Sequence, residues 1–256
     1  MAPHSVLNAD FRIDPHSPIP LYYQIRENLR DLIVSGRYAP GDAIPAEREL
    51  SDVYNVNRLT VRRAVNELVS EGMLWRQQGV GTFVAAPKIV QTQPVLLGFT
   101  DRMLQSGHRP TSRVILQEEA PATGAVAKAL RLTPNAPVVK LVRLRLADDE
   151  PIMLETSFMP QAVCPDLAAQ DMVNQSLYRV LAERYGVQIV EAEEVVEPVA
   201  LTDYEAELLG AQKGQPALLI EITAFTHNGR PVEFGKSLVR GDKSRYHFRI
   251  HRRVEG

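Results

Sequence analysis

Asn57-Arg58-Leu59-Thr60-Val61-Arg62-Arg63-Ala64-Val65-Asn66-Glu67-Leu68 places apolar residues at 61, 64, 65 and 68, the spacing of a helix with one buried stripe. Asn57 suits the N-cap, since its short side chain can accept from an N–H of the first turn. Arg58, Thr60, Arg62 and Arg63 are left on or near the outer face. Just before them, Asn55-Val56-Asn57 reads as a tight break. It is preceded by a helix over Ala46–Tyr54, with Pro45 where a proline is welcome and with Leu50 and Val53 expected inward. Further upstream, Leu21, Ile25, Leu29, Leu32 and Ile33 form one face of an amphipathic helix stopped by Gly36. Pro40-Gly41-Asp42 is a turn. After Glu71-Gly72, Met73-Leu74-Trp75-Arg76 and Thr82-Phe83-Val84 read as strands joined by Gln77-Gln78-Gly79-Val80-Gly81, with Trp75 expected to pack beneath them. Helix, helix, tight turn, helix and β-hairpin is the order of a winged helix-turn-helix.

The whole chain has 256 residues, 29 Lys+Arg against 31 Asp+Glu, and a formal charge of −2. Its length suits two modest domains, and 45% hydrophobic with 23% charged residues is an ordinary globular composition. Neither a long apolar run nor a basic, apolar leader is present in the sequence, so a membrane span and a secretory signal are not expected. The one cysteine, Cys164, cannot form an intramolecular disulfide and suits a reducing cytoplasm. Near-zero net charge excludes a protein that coats nucleic acid by bulk charge. Residues 1–87 hold nine arginines, no lysine and ten acids, yet Arg58, Arg62, Arg63 and Arg76 face only Glu67 and Glu71 between 56 and 81. Positive charge is thus gathered at the third helix and the hairpin, where side chains can meet phosphates and base edges.

The divisions expected along the chain are a flexible arm at 1–17, a winged unit at 18–85, a proline-bracketed linker at 86–95 and a second domain at 96–256. That second domain carries a faint duplication. Leu130–Pro137 matches Leu209–Pro216, each preceded by an Ala/Leu-rich helical stretch and followed by strand, polar turn, proline and strand. The turns are Ala147–Pro151 and Thr226–Pro231, the second holding the hairpin signal Asn228-Gly229. Two such halves place a cleft between them. On the strand Val138–Leu146, Arg143 and Arg145 share one face, while the second copy has Ile222 and Ala224 there. A pair required by the scaffold would recur in both copies; a pair serving a site need not. Paired guanidiniums bind carboxylate or phosphate in bidentate fashion, although a charged outer face of an edge strand gives the same pattern.

Several quoted segments together resemble the GntR family of bacterial transcription regulators: Pro20–Ile25, Gly41–Leu50, Val56–Arg62, Leu68–Gly72 and Gly79–Val84. The resemblance implies DNA contacts by Arg48 and Arg58, helped by Thr60 and Arg62, with Arg63 and Gln78 at the same surface. It also implies entry of the hairpin into the minor groove through Gly79 and Gly81. Asn57 stands where a serine is usual, and both cap helices. Gly98-Phe99-Thr100-Asp101, Arg143-Leu144-Arg145, Leu154-Glu155, Ser176-Leu177-Tyr178, Tyr185-Gly186 and Arg240-Gly241-Asp242 resemble the UTRA effector-binding domain of the HutC subfamily. Its fold is similar to chorismate lyase, an antiparallel sheet with flanking helices, so an α+β chain is implied. The resemblance implies that Arg143, Arg145, Ser176 and Tyr178 hold an anionic group beside the Phe99-Thr100 loop, while Glu155 and Glu233 accept from hydroxyls or amines. Ser176 also precedes an apolar-periodic segment and could cap that helix. Members binding amino-sugar phosphates usually have a tyrosine before Arg-Gly-Asp; here it is Val239.

The expectation is a cytoplasmic, ligand-responsive repressor without cofactor, metal or membrane. It would bind a near-palindromic operator in double-stranded DNA as a homodimer and be released by a small anionic effector such as a sugar phosphate or carboxylate. Two alternatives are a DNA-binding protein without an effector, which would show no ligand-induced thermal shift, and a lyase-like enzyme, for which no acid and base stand at catalytic spacing. His247 and His251 share parity but lack an acid or cysteine partner, and read as surface residues rather than metal ligands. Gly79-Val80-Gly81 lacks the following helix of a nucleotide loop, and Cys164 reads as a packing thiol.

Overall fold

A computed structural model describes residues 11–92 and 96–248, so His251 lies outside the described residues. The chain divides into two compact units between Lys88 and Ile89.

The first unit contains α1 (Leu21–Val34), α2 (Glu47–Tyr54), α3 (Arg58–Ser70), β1 (Leu74–Gln77) and β2 (Gly81–Val84). Ile25, Leu29 and Leu32 of α1 pack against Leu50 of α2, Val61, Ala64, Val65 and Leu68 of α3, and Leu74 and Val84 of the hairpin. Asn57 caps α3 by accepting from the Leu59 N–H at 2.8 Å. The break before it is closed by Asn55 in the left-handed region (φ 51°) and by the Ser51 hydroxyl donating to the Val56 carbonyl at 2.6 Å. Arg26 with Glu67 and Arg30 with Glu71 join α1 to α3 at 2.9 and 2.5 Å.

Three expectations are corrected here. Val53 faces solvent, and Tyr54 turns inward instead, because its hydroxyl donates to buried Asn28 Oδ1 at 2.7 Å. Trp75 stacks on Phe83 across the hairpin, with centroids 4.9 Å apart, but stays 44% exposed rather than packing beneath it. The amino-terminal arm is anchored before residue 18. Phe11 meets Tyr54 edge-on, Phe11 and Ile13 pack on the core, and Gln24 bridges to Asp14.

The second unit comprises β3 (Ile89–Thr92), α4 (Phe99–Gln105), β4 (Pro110–Pro121), α5 (Gly124–Ala129), β5 (Pro137–Ala147), β6 (Glu150–Pro160), a 3-10 turn (Leu167–Ala169), α6 (Leu177–Tyr185), β7 (Glu191–Ala200), α7 (Asp203–Leu209), β8 (Pro216–Phe225), β9 (Pro231–Arg240) and β10 (Ser244–His247). Six strands form one antiparallel sheet in the order β4-β5-β6-β9-β8-β7. Strand-helix-strand-strand therefore occurs twice, and the copies meet at β6 and β9, the arrangement expected of a duplicated half. The β5–β6 turn carries Asp148 and Asp149 at φ 50° and 68°, the geometry of a two-residue hairpin loop.

Helices cover both faces. Val126 and Leu130 at α5 pack on Val138 and Phe234, and Leu209 of α7 packs on Leu144 and Leu238. On the other face, Phe99 and Met103 of α4 lie on Met153 and Val239, while Leu177 and Leu181 of α6 lie on Val139 and Leu141. Double coverage explains why β5 reads as a nearly continuous apolar run rather than an alternation. Arg240, 6% exposed, ties the sheet end together by donating to Asp242 and to the carbonyls of Pro151 and Leu209. The stretch read as linker contains β3, which pairs in parallel with β10, Ile89 opposite Ser244.

Candidate functional site

On the α4/α6 face of the sheet, alternate residues of four strands line up in rows. Arg143 lies opposite Glu155, Glu155 opposite Ser237, and Ser237 opposite Ile220. The next row is Ser157, Gly235 and Ile222. Arg145 and Glu233 stand two residues further along β5 and β9. The starts of α4 and α6 roof this floor, and Tyr246 of β10 joins the wall of a cleft that is open to solvent and spans about 660 Å³ with its mouth included. Gly235 keeps the floor low, since a Cβ there would stand 2.8 Å from Ile222 Cγ2.

Both guanidiniums are 2% exposed. Arg143 donates to Glu155 Oε2 at 2.5 Å and to the Gln175 carbonyl at 3.1 Å. Arg145 donates to Thr100 Oγ1 at 3.0 Å and lies 4.3 Å over the Phe99 ring. Arg143 Nε and Arg145 Nε and Nη1 are buried without a hydrogen-bond partner. Each such donor costs about 1–3 kcal/mol, more when charged, and an anion in the cleft would relieve that cost. Ser176 caps α6, accepting from the Arg179 N–H, so the positive end of that helix also points at the cleft.

Burial pulls Arg145 down to about 10, with Glu155 opposing and Arg143 reinforcing that shift, so it remains charged at neutral pH. Burial also pushes Glu155 up, but Arg143 and Arg145 outweigh it and hold the carboxyl below its ordinary value. Glu233 goes the other way: burial, and then the charge of Glu155, raise it despite hydrogen bonds from Ser157 (2.7 Å) and Tyr178. Burial and Glu233 together raise Tyr178. The cleft is therefore cationic at the arginines and holds at its other end a carboxyl whose pKa is raised.

The signs follow from linkage. Glu155, lowered on folding, contributes stability above the ordinary glutamate pKa that is lost as pH falls through its lowered value. Glu233, raised on folding, contributes stability below the ordinary value of about 4.3 that is lost as pH rises through its raised one. In melting curves, Glu233→Gln should gain on the parent as pH rises from about 4.3 toward neutrality. An offset that stays constant with pH would contradict this assignment.

In the first unit, the start of α3 stands clear of the core. Arg58 is exposed, Leu59 is 70% exposed, Thr60 is half-buried and Arg62 is exposed. Arg48 is exposed on α2. At the hairpin tip Gln78, Gly79 and Gly81 are exposed, and Gly79 adopts φ +74°, a conformation natural to glycine. Glu47, at the first turn of α2, lies 3.5 Å from Arg58 Nε and 2.9 Å from Arg76 Nη2. Arg63 is turned toward α1, 3.6 Å over the Tyr22 ring and beside Glu67.

Comparison with known proteins places both units. Residues 21–84 match the family described as bacterial regulatory proteins, gntR family, and residues 105–245 match the UTRA domain. The chain belongs to the GntR family of bacterial transcription regulators. It is 39% identical over 231 residues to the transcriptional repressor NagR of Bacillus subtilis (strain 168), covering 90% of this chain and 95% of that protein. It is 34% identical over 203 residues to the histidine utilization repressor of Pseudomonas aeruginosa PAO1, covering 79% and 80%. Its structure is similar to the crystal structure of PhnF from Mycobacterium smegmatis, with a TM-score of 0.63 at 28% identity, covering 90% and 100%. This GntR regulator of HutC type binds DNA through the helix-turn-helix unit and senses a small molecule through the UTRA unit; the family consists of regulators, not enzymes.

All eight residues named from sequence for the effector site of this GntR regulator (Phe99, Thr100, Arg143, Arg145, Glu155, Ser176, Tyr178 and Glu233) line the one cleft. Among the lining residues that the sequence reading missed are Arg102, Met153, Ser157, Glu194, Gly235, Ser237 and Tyr246. Met153 and Ser157 flank Glu155 at two-residue spacing, and Gly235 and Ser237 continue Glu233 in the same way, so strand parity alone carried that signal. Tyr246 had none, because nothing local in β10 announces its partner. Val239 does not line the cleft; it is buried beside Phe99 and Met153. Cys164 is fully buried, its thiol pushed up to about 12 by burial and then by Asp166.

Proposed function

We propose that this GntR regulator is a repressor. It binds a near-palindromic operator as a homodimer and releases it when a small anionic metabolite enters the UTRA cleft. The observation that carries the effector reading is the pair of buried guanidiniums with three donor nitrogens that have no hydrogen-bond partner, Arg145 Nη1 having only Glu155 Oε2 at 4.0 Å. Arg143 and Arg145 take the anion, a phosphate or carboxylate, with the hydroxyls of Thr100, Ser176 and Tyr178 around it and Phe99 stacked behind Arg145. Glu155 and Glu233 receive hydroxyl or amine groups from the rest of the ligand. Repression is supported by the names of the relatives, NagR and the histidine utilization repressor.

The reading unit spans 18–85. Arg58, Thr60, Arg62 and Arg48 meet the major groove and its phosphates, while Gln78, Gly79 and Gly81 bring the wing to the minor groove. Arg63, held over Tyr22, adds charge near the backbone rather than a base contact. A short segment ending at Lys88 joins it to the sensing and dimerising unit, which begins at Ile89, and the work is done in the cytoplasm. Two half-sites about one helical turn apart suit two copies of α3. A ligand preferring the released arrangement by a few kcal/mol suffices to shift the population.

The test is anisotropy of a labelled duplex from the promoter of the chain's own gene, titrated with sugar phosphates and carboxylates and with the neutral counterpart of each. One anion should release the duplex and raise the melting temperature of the protein, and its neutral counterpart should do neither. Equal release by the neutral compound would overturn the anion reading.

A further inference from the structure

Glu47 occupies an unusual position among the candidate DNA-reading residues: it is an acid. Its carboxylate, 18% exposed, stands between the first residue of α3 and a strand of the wing, with Oε2 3.5 Å from Arg58 Nε and Oε1 2.9 Å from Arg76 Nη2. It is not needed to start α2, because Glu49 supplies the capping contact, accepting from the Ala46 N–H at 2.9 Å. Ion pairs to arginines as open as Arg58, whose side chain is 68% exposed, contribute little to folding. A negative charge at this surface also repels phosphate. Its place in the first turn of α2 gives it a modest helix-dipole contribution, which does not account for its position between the two arginines.

We propose that Glu47 is the positioning residue for sequence reading, fixing the Arg58 guanidinium by its inner edge. An arginine has two usable donor edges. With Nε facing the carboxylate, the edge formed by Nη1 and Nη2 faces outward, and that edge matches a pair of acceptors such as guanine O6 and N7. The same carboxylate holds Arg76, so the reading helix and the wing share one anchor. Without it, Arg58 samples many rotamers and must be ordered on binding. Glu47 thus gives up general affinity for DNA in return for discrimination.

The inference rests on the DNA-reading role of Arg58, and the experiment separates the two. The full-length parent selects a preferred duplex from a randomised pool. That duplex and poly(dA-dT), which offers no O6/N7 acceptor pair, are then the probes for parent, Glu47→Gln, Arg58→Ala and the double variant. Glu47→Gln should lose roughly 10-fold or more for the selected duplex while binding poly(dA-dT) as well as the parent or better, with an unchanged melting temperature. In the Arg58→Ala background, Glu47→Gln should cost nothing further.

Equal loss on both probes, equal gain on both, or additive losses in the double variant would overturn the positioning role. If Arg58→Ala keeps full discrimination, the reading of Arg58 fails and this inference with it. If Arg58 is needed and Glu47→Gln discriminates like the parent, this inference fails alone.

Discussion

Arg58→Ala is expected to weaken operator binding by about 1–3 kcal/mol per half-site and to relax the preference at the base pair it meets. The reasoning begins with placement. Asn57 caps α3, so Arg58 is the first helical residue and projects from the helix end while Val61, Ala64, Val65 and Leu68 fix the opposite side in the core. Truncation removes nothing from that core, so the melting temperature should hold. Two comparisons sharpen the result. Arg62→Ala, taken as a phosphate contact, should weaken all duplexes alike and reduce the salt dependence by about one phosphate. Arg63→Ala should lose least, because its guanidinium already lies over Tyr22. Gel shifts on the operator and on a scrambled duplex, repeated at two salt concentrations, read all three. Unchanged operator affinity for Arg58→Ala would remove the base-reading assignment.

Arg143→Ala is expected to abolish effector-induced release while leaving affinity for the operator within about twofold, since the substitution lies in a separate unit from the reading helix. It should also destabilise. Glu155 is held below its ordinary pKa by Arg143 and Arg145, and removing Arg143 strips the carboxylate of its 2.5 Å partner. Breaking such a buried pair costs about 3–5 kcal/mol. Loss of response in the single variant is therefore open to a trivial explanation, and a second variant answers it. Arg143→Met combined with Glu155→Gln removes both charges and should recover most of the melting temperature, yet remain unresponsive. Release by the double variant at the parent's effector concentration would show that the anion binds elsewhere.

The winged unit was legible in sequence because its determinants are local. Asn57, Gly36 and the 61/64/65/68 stripe each specify structure within a turn or two of themselves. The misreadings were tertiary. Val53 has the apolar character of an inward residue, but Tyr54 can satisfy Asn28 as well as fill space, and it takes the buried position. Phe11 finds Tyr54 across a stretch without periodicity, where no local pattern could announce it. The sheet is half legible for the same reason. The tight turns fix the β5–β6 and β8–β9 hairpins, and with them the pairing of Arg143 with Glu155. The β6–β9 seam joins strands separated by an entire half of the domain, so the pairing of Glu155 with Ser237 and of Ser157 with Gly235 had no expression in local sequence. Arg143 and Arg145 stood out because the duplicated copy lacks them.

The parallel pairing of β3 with β10 bears on reach. β2 ends at Val84, the Ala85 N–H is itself bound to the Met73 carbonyl, and β3 begins at Ile89. With Ala85 to Lys88 between the strands, the leash extends no more than about 14 Å at 3.3–3.6 Å per residue. Detaching Ile89–Thr92 from Ser244–His247 would add at least those four residues to it. A four-rung ladder with β10, one side of which carries Tyr246 into the cleft wall, thus keeps the joining segment down to four residues.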